Sequence, residues 1–239
     1  MRGFVIHASF DVLAWLAAAA AALWVTRTGR VTFPLPEPLR LSYLAVLLIG
    51  AALGAVLFGS ANLWLSGMPG LARSIEGGIA GGIVAIELYK RFAGITARTG
   101  ARFALPFAVG VAVGRIGCFL SGIDDFTHGT PTTLPWGHDF GDGVLRHPVQ
   151  LYESAAMALF AIVYVMRVRA GDRFWIANGF YLAVAYYGAQ RFVWEFWKPY
   201  GTIIGPFTLF HLLSAAVLVY AVVMIATAKP GVSDERAFA

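Results

Sequence analysis

Runs of apolar residues alternate with short polar connections along almost the whole chain. A helix rises about 1.5 Å per residue, so crossing about 30 Å of hydrocarbon takes roughly 17–25 residues. Windows of that kind cover residues 5–25, 41–65, 77–92, 103–120, 148–168, 174–196 and 207–227, the third being the shortest. The pattern predicts an all-α integral membrane protein of seven transmembrane helices. No tandem repeat, low-complexity tract or linker interrupts it, so residues 1–239 are read as one polytopic membrane domain. Small residues at i, i+4 spacing (Gly50/Gly54, Gly77/Gly81, Gly78/Gly82, Gly110/Gly114) are the signature of closely packed membrane helices. Pro34, Pro36 and Pro38 predict an extended connection between the first two spans.

Composition supports this class and adds orientation. The chain is 59% hydrophobic and 13% charged, outside the range of soluble domains. Its net charge of +5 sits between the apolar segments rather than on one face, which argues for topology signals and against a nucleic-acid partner. With the N-terminus outside, the inner connections hold Arg27, Arg30, Arg40, Lys90, Arg91, Arg98, Arg102, Arg167, Arg169, Arg173, Lys229 and Arg236. The outer side holds only Arg2, Arg73, Arg146 and Lys198. The expected topology is therefore N-terminus outside and C-terminus cytoplasmic, with a short extracytoplasmic loop over residues 121–147. A single cysteine, Cys118, excludes an internal disulfide and a Cys-rich metal site. The acidic loop from Asp124 to Asp142 matches no calcium-loop spacing, so neither a cofactor nor a metal is expected.

The remaining two basic residues, Arg115 and Arg191, fall inside apolar segments, where an ionised side chain costs about 2.5 kcal/mol or more. Each lies five residues before the outer end of its predicted helix, at equal depth. Two guanidiniums at lipid-phosphate depth suit a phosphodiester, because each donates bidentate hydrogen bonds and stays protonated. The alternative is a pair of structural ion pairs, Arg191 with Glu195 at i+4 and Arg115 with Glu153. His147, Gln150 and Glu153 follow at three-residue intervals and form a polar stripe, read equally well as a cap plus a buried network or as a substrate site. Cys118 reads as a small packing residue, and Tyr152, Trp136, Trp194 and Trp197 as interfacial aromatics.

These residues carry a family resemblance. G-R-I-G-C-F-L-S-G from Gly114 to Gly122, then L-P-W-G, then R-H-P-V-Q-L-Y-E from Arg146 to Glu153, resemble the signature blocks of the bacterial prolipoprotein diacylglyceryl transferases. R-F-V-W-E-F-W from Arg191 and S-I-E-G-G from Ser74 resemble two further segments, so the likeness spans about residues 45–225. The resemblance implies seven helices with the N-terminus outside, in a bacterial cytoplasmic membrane. It implies transfer of the diacylglyceryl group of phosphatidylglycerol to a prolipoprotein cysteine thiol. It assigns Arg115 and Arg191 to the lipid phosphate and places Gly117, Cys118, Ser121, Gly122, His147, Gln150, Tyr152, Glu153 and Glu195 around the substrate. The chain departs from the family pattern at Glu76, where a histidine is usual, and at Cys118 and Ser121, where asparagines are usual. Glu76 is thus the expected proton acceptor. The partners implied are an anionic phospholipid, a lipoprotein precursor or another acceptor, and the bilayer. A transferase with a different acceptor and a noncatalytic phospholipid-binding protein are the alternatives.

Overall fold

A computed structural model describes residues 2–228, apart from the side chains of Arg2, Phe4 and Asp124. Lys229 and Arg236, counted above among the inner charges, lie outside the described residues. The chain forms α1 (Arg2–Arg27), α2 (Glu37–Leu65), α3 (Ile75–Phe92), α4 (Ala104–Ser121), α5 (Val149–Arg169), α6 (Arg173–Glu195) and α7 (Leu209–Ala226). Two antiparallel hairpins complete it, β1 (His138–Asp139) with β2 (Leu145–Arg146), and β3 (Thr202–Ile204) with β4 (Phe207–Thr208).

Each predicted segment is a helix, and the differences lie at the ends. Pro38 belongs to α2 rather than to an extended connection, because proline at the first helical positions forfeits no hydrogen bond. Pro36, with φ −55° and ψ 142°, keeps the extended geometry predicted for it as it leads into the helix. Phe207 and Thr208 form a strand before α7. The helix then starts with a capping box, in which His211 N donates to Thr208 Oγ1 at 3.3 Å and Thr208 N donates to His211 Nδ1 at 3.1 Å. Asp172 caps α6 in the same sense, accepting from Phe174 N and Trp175 N.

The chain divides into two compact units, residues 1–32 with 100–199, and residues 33–99 with 200–239. In the first, α4 packs against both α1 and α5, and α6 joins α5 and α4. Gly117 permits the α1 contact: a Cβ there would stand 3.0 Å from Phe10 Cγ. In the second, α2 and α3 are the closest pair, with α7 against α3. The expected glycine seam is present, since a Cβ on Gly54 would lie 2.8 Å from Gly81 Cα, and one on Gly81 equally close to Gly54 Cα.

Burial is inverted relative to a soluble protein. Trp15, Leu16, Leu41 and Phe92 are exposed, whereas Glu76, Gln150, Glu153, Glu195 and His211 are among the fully buried side chains. Apolar side chains facing out and charges facing in is what a hydrocarbon solvent selects. α1, α2, α4, α5 and α7 are each long and apolar enough to cross a membrane. The other two carry more polar side chains, Glu76, Glu87 and Lys90 on α3, and Asn178, Gln190 and Arg191 on α6. The protein is an all-α membrane protein.

Candidate functional site

Arg115 sits near the C-terminal end of α4, Glu153 in the first turns of α5, and Arg191 and Glu195 one turn apart at the end of α6. The first unit folds these three helix ends together. Arg115 Nε meets Glu153 Oε2 at 2.6 Å, and Arg191 Nη1 meets Glu195 Oε2 at 2.6 Å and Glu153 Oε1 at 3.7 Å. Both ion pairs weighed from the sequence exist, and Glu153 links them into one cluster.

A fifth charge completes it. Lys198, counted from sequence as an exposed topology signal, is 5% exposed with Nζ 3.5 Å from Glu153 Oε1. It also donates to the Thr127 carbonyl. Burial pushes the lysine down from its ordinary value to about 8, with Arg191 and Arg115 adding to the effect and Glu153 opposing it. Near neutral pH the lysine is charged. Among the described residues three cations then face two carboxylates, and none of the five residues is more than 6% exposed. A surplus positive charge in a dry setting is costly unless an anion shares the space, since low polarity magnifies every uncompensated interaction. Lys198 lies three residues past the end of α6, so no helical spacing in the sequence marks it as buried.

The loop between α4 and α5 lies against this cluster. Gly122, at φ 82°, ends α4, and Phe126, at φ 50°, turns the chain so that the Thr127 carbonyl reaches Lys198. Thr127 Oγ1 accepts from Gln150 Nε2 at 3.4 Å and donates to Asp125 Oδ2 at 2.6 Å. Thr130 N donates to the Trp197 carbonyl at 2.7 Å, tying the loop to the end of α6. An aromatic group borders it: Trp136 Nε1 donates to Tyr152 Oη at 2.8 Å, the Tyr152 ring lies tilted against Trp194 with centroids 5.4 Å apart, and the His147 ring is 5.6 Å from that of Trp197. Burial lowers the His147 value, which favours its neutral ring.

The remaining expected residues are distributed as follows. Cys118 is buried one turn beyond Arg115, with Sγ 3.9 Å from Arg115 Nη1 and 3.8 Å from His7 Nε2. Ser121 Oγ donates to the Gly117 carbonyl at 2.8 Å, and Gly117 packs on Phe10. Glu76 belongs to the second unit. There it opens α3 behind its N-cap, Ser74, is 1% exposed, and accepts a hydrogen bond from Ser214 of α7. The sequence reading missed Thr127 and Ser214, since isolated hydroxyl residues carry no spacing signal.

The fold and the cluster together define an all-α membrane protein built around a buried, positively biased polar site. Its residues 5–227 match the profile of the prolipoprotein diacylglyceryl transferases. A phosphatidylglycerol–prolipoprotein diacylglyceryl transferase of Geobacter sulfurreducens is 34% identical over 185 residues, 70% of this chain and 68% of that protein. One of the same description from Oleidesulfovibrio alaskensis is 34% identical over 203 residues, 78% and 71% of the two chains. A third, from Methylococcus capsulatus, is 31% identical over 233 residues, 87% and 86%. No solved structure matches the chain. The chain belongs to the prolipoprotein diacylglyceryl transferase family, as its motifs led us to expect, and it is a transferase.

Proposed function

We infer that this transferase moves the diacylglyceryl group of phosphatidylglycerol to a prolipoprotein cysteine thiol, with Arg115, Arg191 and Lys198 holding the lipid phosphate. The observation that carries the assignment is the cluster's charge: three cations on two carboxylates, all buried. The relatives' names supply the donor and the acceptor. The thiolate attacks the glycerol carbon that bears the phosphate, and the C–O electron pair leaves with glycerol phosphate. Charge grows on the departing phosphate, so fixed guanidiniums bind the transition state more tightly than the ground state. Glu153 and Glu195 hold both guanidiniums in place, so little reorganisation is needed when the lipid arrives. Gln150, with Oε1 buried and without a hydrogen-bond partner among the described residues, and the Tyr152 and His147 rim are assigned to the glycerol and ester groups. Glu76, in its own unit, is the proposed acceptor of the thiol proton. The twelve-to-four bias of basic residues supports N-outside topology in a bacterial cytoplasmic membrane, with the cluster toward the outer leaflet.

The test is transfer from labelled phosphatidylglycerol to a lipobox peptide by protein reconstituted in liposomes. Arg115→Ala is expected to lower turnover by about 10²–10³, the usual effect of losing one donor to a developing oxyanion. Arg115→Lys, which keeps the charge but not the fork, should fall between the two. Undiminished transfer by a well-folded Arg115→Ala protein would remove the phosphate role. Rescue of a strain depleted of its own transferase excludes a noncatalytic lipid binder.

A further inference from the structure

Beside the phosphate cluster, and unused by the proposed reaction, lies a second group of side chains in the first unit. His7 of α1, Cys118 of α4 and Asp125 of the following loop bring one nitrogen, one sulfur and one oxygen within 4.8 Å of one another. His7 Nε2 is 3.1 Å from Asp125 Oδ1 and 3.8 Å from Cys118 Sγ. Tetrahedral zinc, with bonds of about 2.0–2.3 Å, places its ligand atoms about 3.3–3.6 Å apart, and the two separations from His7 Nε2, 3.1 and 3.8 Å, lie on either side of that value.

The surroundings match a ligand set as well as the spacing does. His7 Nδ1 faces Asp11 Oδ2 at 3.2 Å, the carboxylate–histidine arrangement that fixes a ligating imidazole with Nε2 aimed at the ion. Asp125 Oδ2 accepts from Thr127 Oγ1 at 2.6 Å, which leaves Oδ1 directed at the cluster. With Nδ1 donating to Asp11, Nε2 faces the Asp125 carboxylate and the Cys118 sulfur, and a proton or a metal ion can fill the space between them. A thiolate and a carboxylate together balance the charge of a divalent ion, even with Arg115 3.9 Å from the sulfur.

We propose that His7, Cys118 and Asp125 form a binding site for a thiophilic divalent cation of the zinc class, with Asp11 and Thr127 orienting two of the ligands. Three protein ligands leave a fourth position open, the pattern of exchangeable rather than purely structural zinc sites. A nitrogen–sulfur–oxygen set favours zinc over calcium or magnesium, which take oxygen ligands.

The test uses the full-length protein purified in detergent, loaded with zinc and dialysed, with metal counted by mass spectrometry. One zinc per chain is expected, lost in Cys118→Ser and in His7→Ala, with affinity lowered about 10–100-fold in Asp11→Asn. Cobalt replaces zinc in the wild-type protein and reports the ligand directly: a thiolate-to-cobalt charge-transfer band is expected, and it requires no variant to fold. Zinc content unchanged by Cys118→Ser, or a cobalt protein without the thiolate band, would each overturn the site in favour of a protonated histidine. None of these readouts depends on transfer activity, so their failure leaves the proposed reaction standing.

Discussion

Lys198 offers the sharpest test of the charge reasoning, because pH and mutation remove the same charge by independent routes. The gap between its ordinary value of 10.5 and about 8 in the folded protein corresponds to about 3 kcal/mol held against the charged form. The folded value lies below the unfolded one, so between about pH 8 and 10.5 the unfolded chain binds a proton that the folded chain has released. The contribution of this group to stability therefore rises with pH across that window, and its cost is fully present below about pH 8. Lipid binding follows the opposite course. As pH rises through about 8 the lysine becomes neutral, three cations become two, and the surplus charge assigned to the phosphate disappears.

A hydrogen bond to a charged partner contributes about 1.5–3 kcal/mol, equivalent to roughly 10–150-fold in apparent affinity for phosphatidylglycerol. Wild-type transfer should therefore lose affinity between pH 7 and 9.5, with a midpoint near the lysine's own. Lys198→Met should show the reduced affinity at every pH, with no limb at that midpoint. Lys198→Arg should keep the high affinity through pH 9.5, because a guanidinium does not titrate there. Melting in detergent supplies the second arm: the gain in stability on raising pH should be larger for wild type than for Lys198→Met by up to about 3 kcal/mol. If Lys198→Met kept both the affinity and the pH profile of the wild type, the lysine would carry no phosphate charge and the surplus would be irrelevant to binding.

The remaining predictions concern both units. Glu76→Gln keeps the contact with Ser214 but removes the carboxylate's charge, so transfer should fall by about 10²–10⁴, the range for a general base, while lipid binding is retained; equal turnover would exclude Glu76 as the base. Gly54→Ala forces a Cβ to within 2.8 Å of Gly81 Cα and should cost about 1–3 kcal/mol in a thermal melt. Gly110→Ala, whose Cβ would stand 3.6 Å from that of Ala18, should be nearly neutral in the same assay. Asp172→Ala removes the cap of α6 and should cost about 1 kcal/mol without changing turnover.

The helices were legible because a bilayer imposes one length on every span, and an apolar run of that length has few other readings. Their ends were less so. Proline at 38 and phenylalanine at 207 sit where helix, turn and strand differ by one or two hydrogen bonds. Arg115, Arg191, Glu153 and Glu195 were legible for a related reason: a charge inside such a run must have a partner, and the run itself marks the anomaly. Lys198 lacks that contrast. It lies just past the end of α6, where a lysine ordinarily reaches into water, and only the folding of Thr127 and Glu153 onto it reveals that it is buried.

The same distinction explains why the two neighbouring clusters differ in how readily the sequence discloses them. Arg191 and Glu195 are one helical turn apart, so half of the arginine–glutamate cluster is written in local spacing. His7 and Cys118 are 111 residues apart and meet because Gly117 lets α1 approach α4 at Phe10. Asp125 joins them only after Gly122 has ended the helix and the chain has turned back. Thr127 belongs to both arrangements, its carbonyl on Lys198 and its hydroxyl on Asp125. If the proposed ion binds, drawing Asp125 toward Cys118 would pull on the residue that also positions Lys198, and occupancy of one cluster would be felt at the other. Thr127→Val isolates the hydroxyl arm of that link and leaves the carbonyl contact with Lys198 in place. In the zinc-loaded protein it should weaken metal binding through Asp125 and, through the same loop, shift the pH midpoint of lipid binding. A change in metal affinity with an unaltered midpoint would show that the two clusters are merely adjacent.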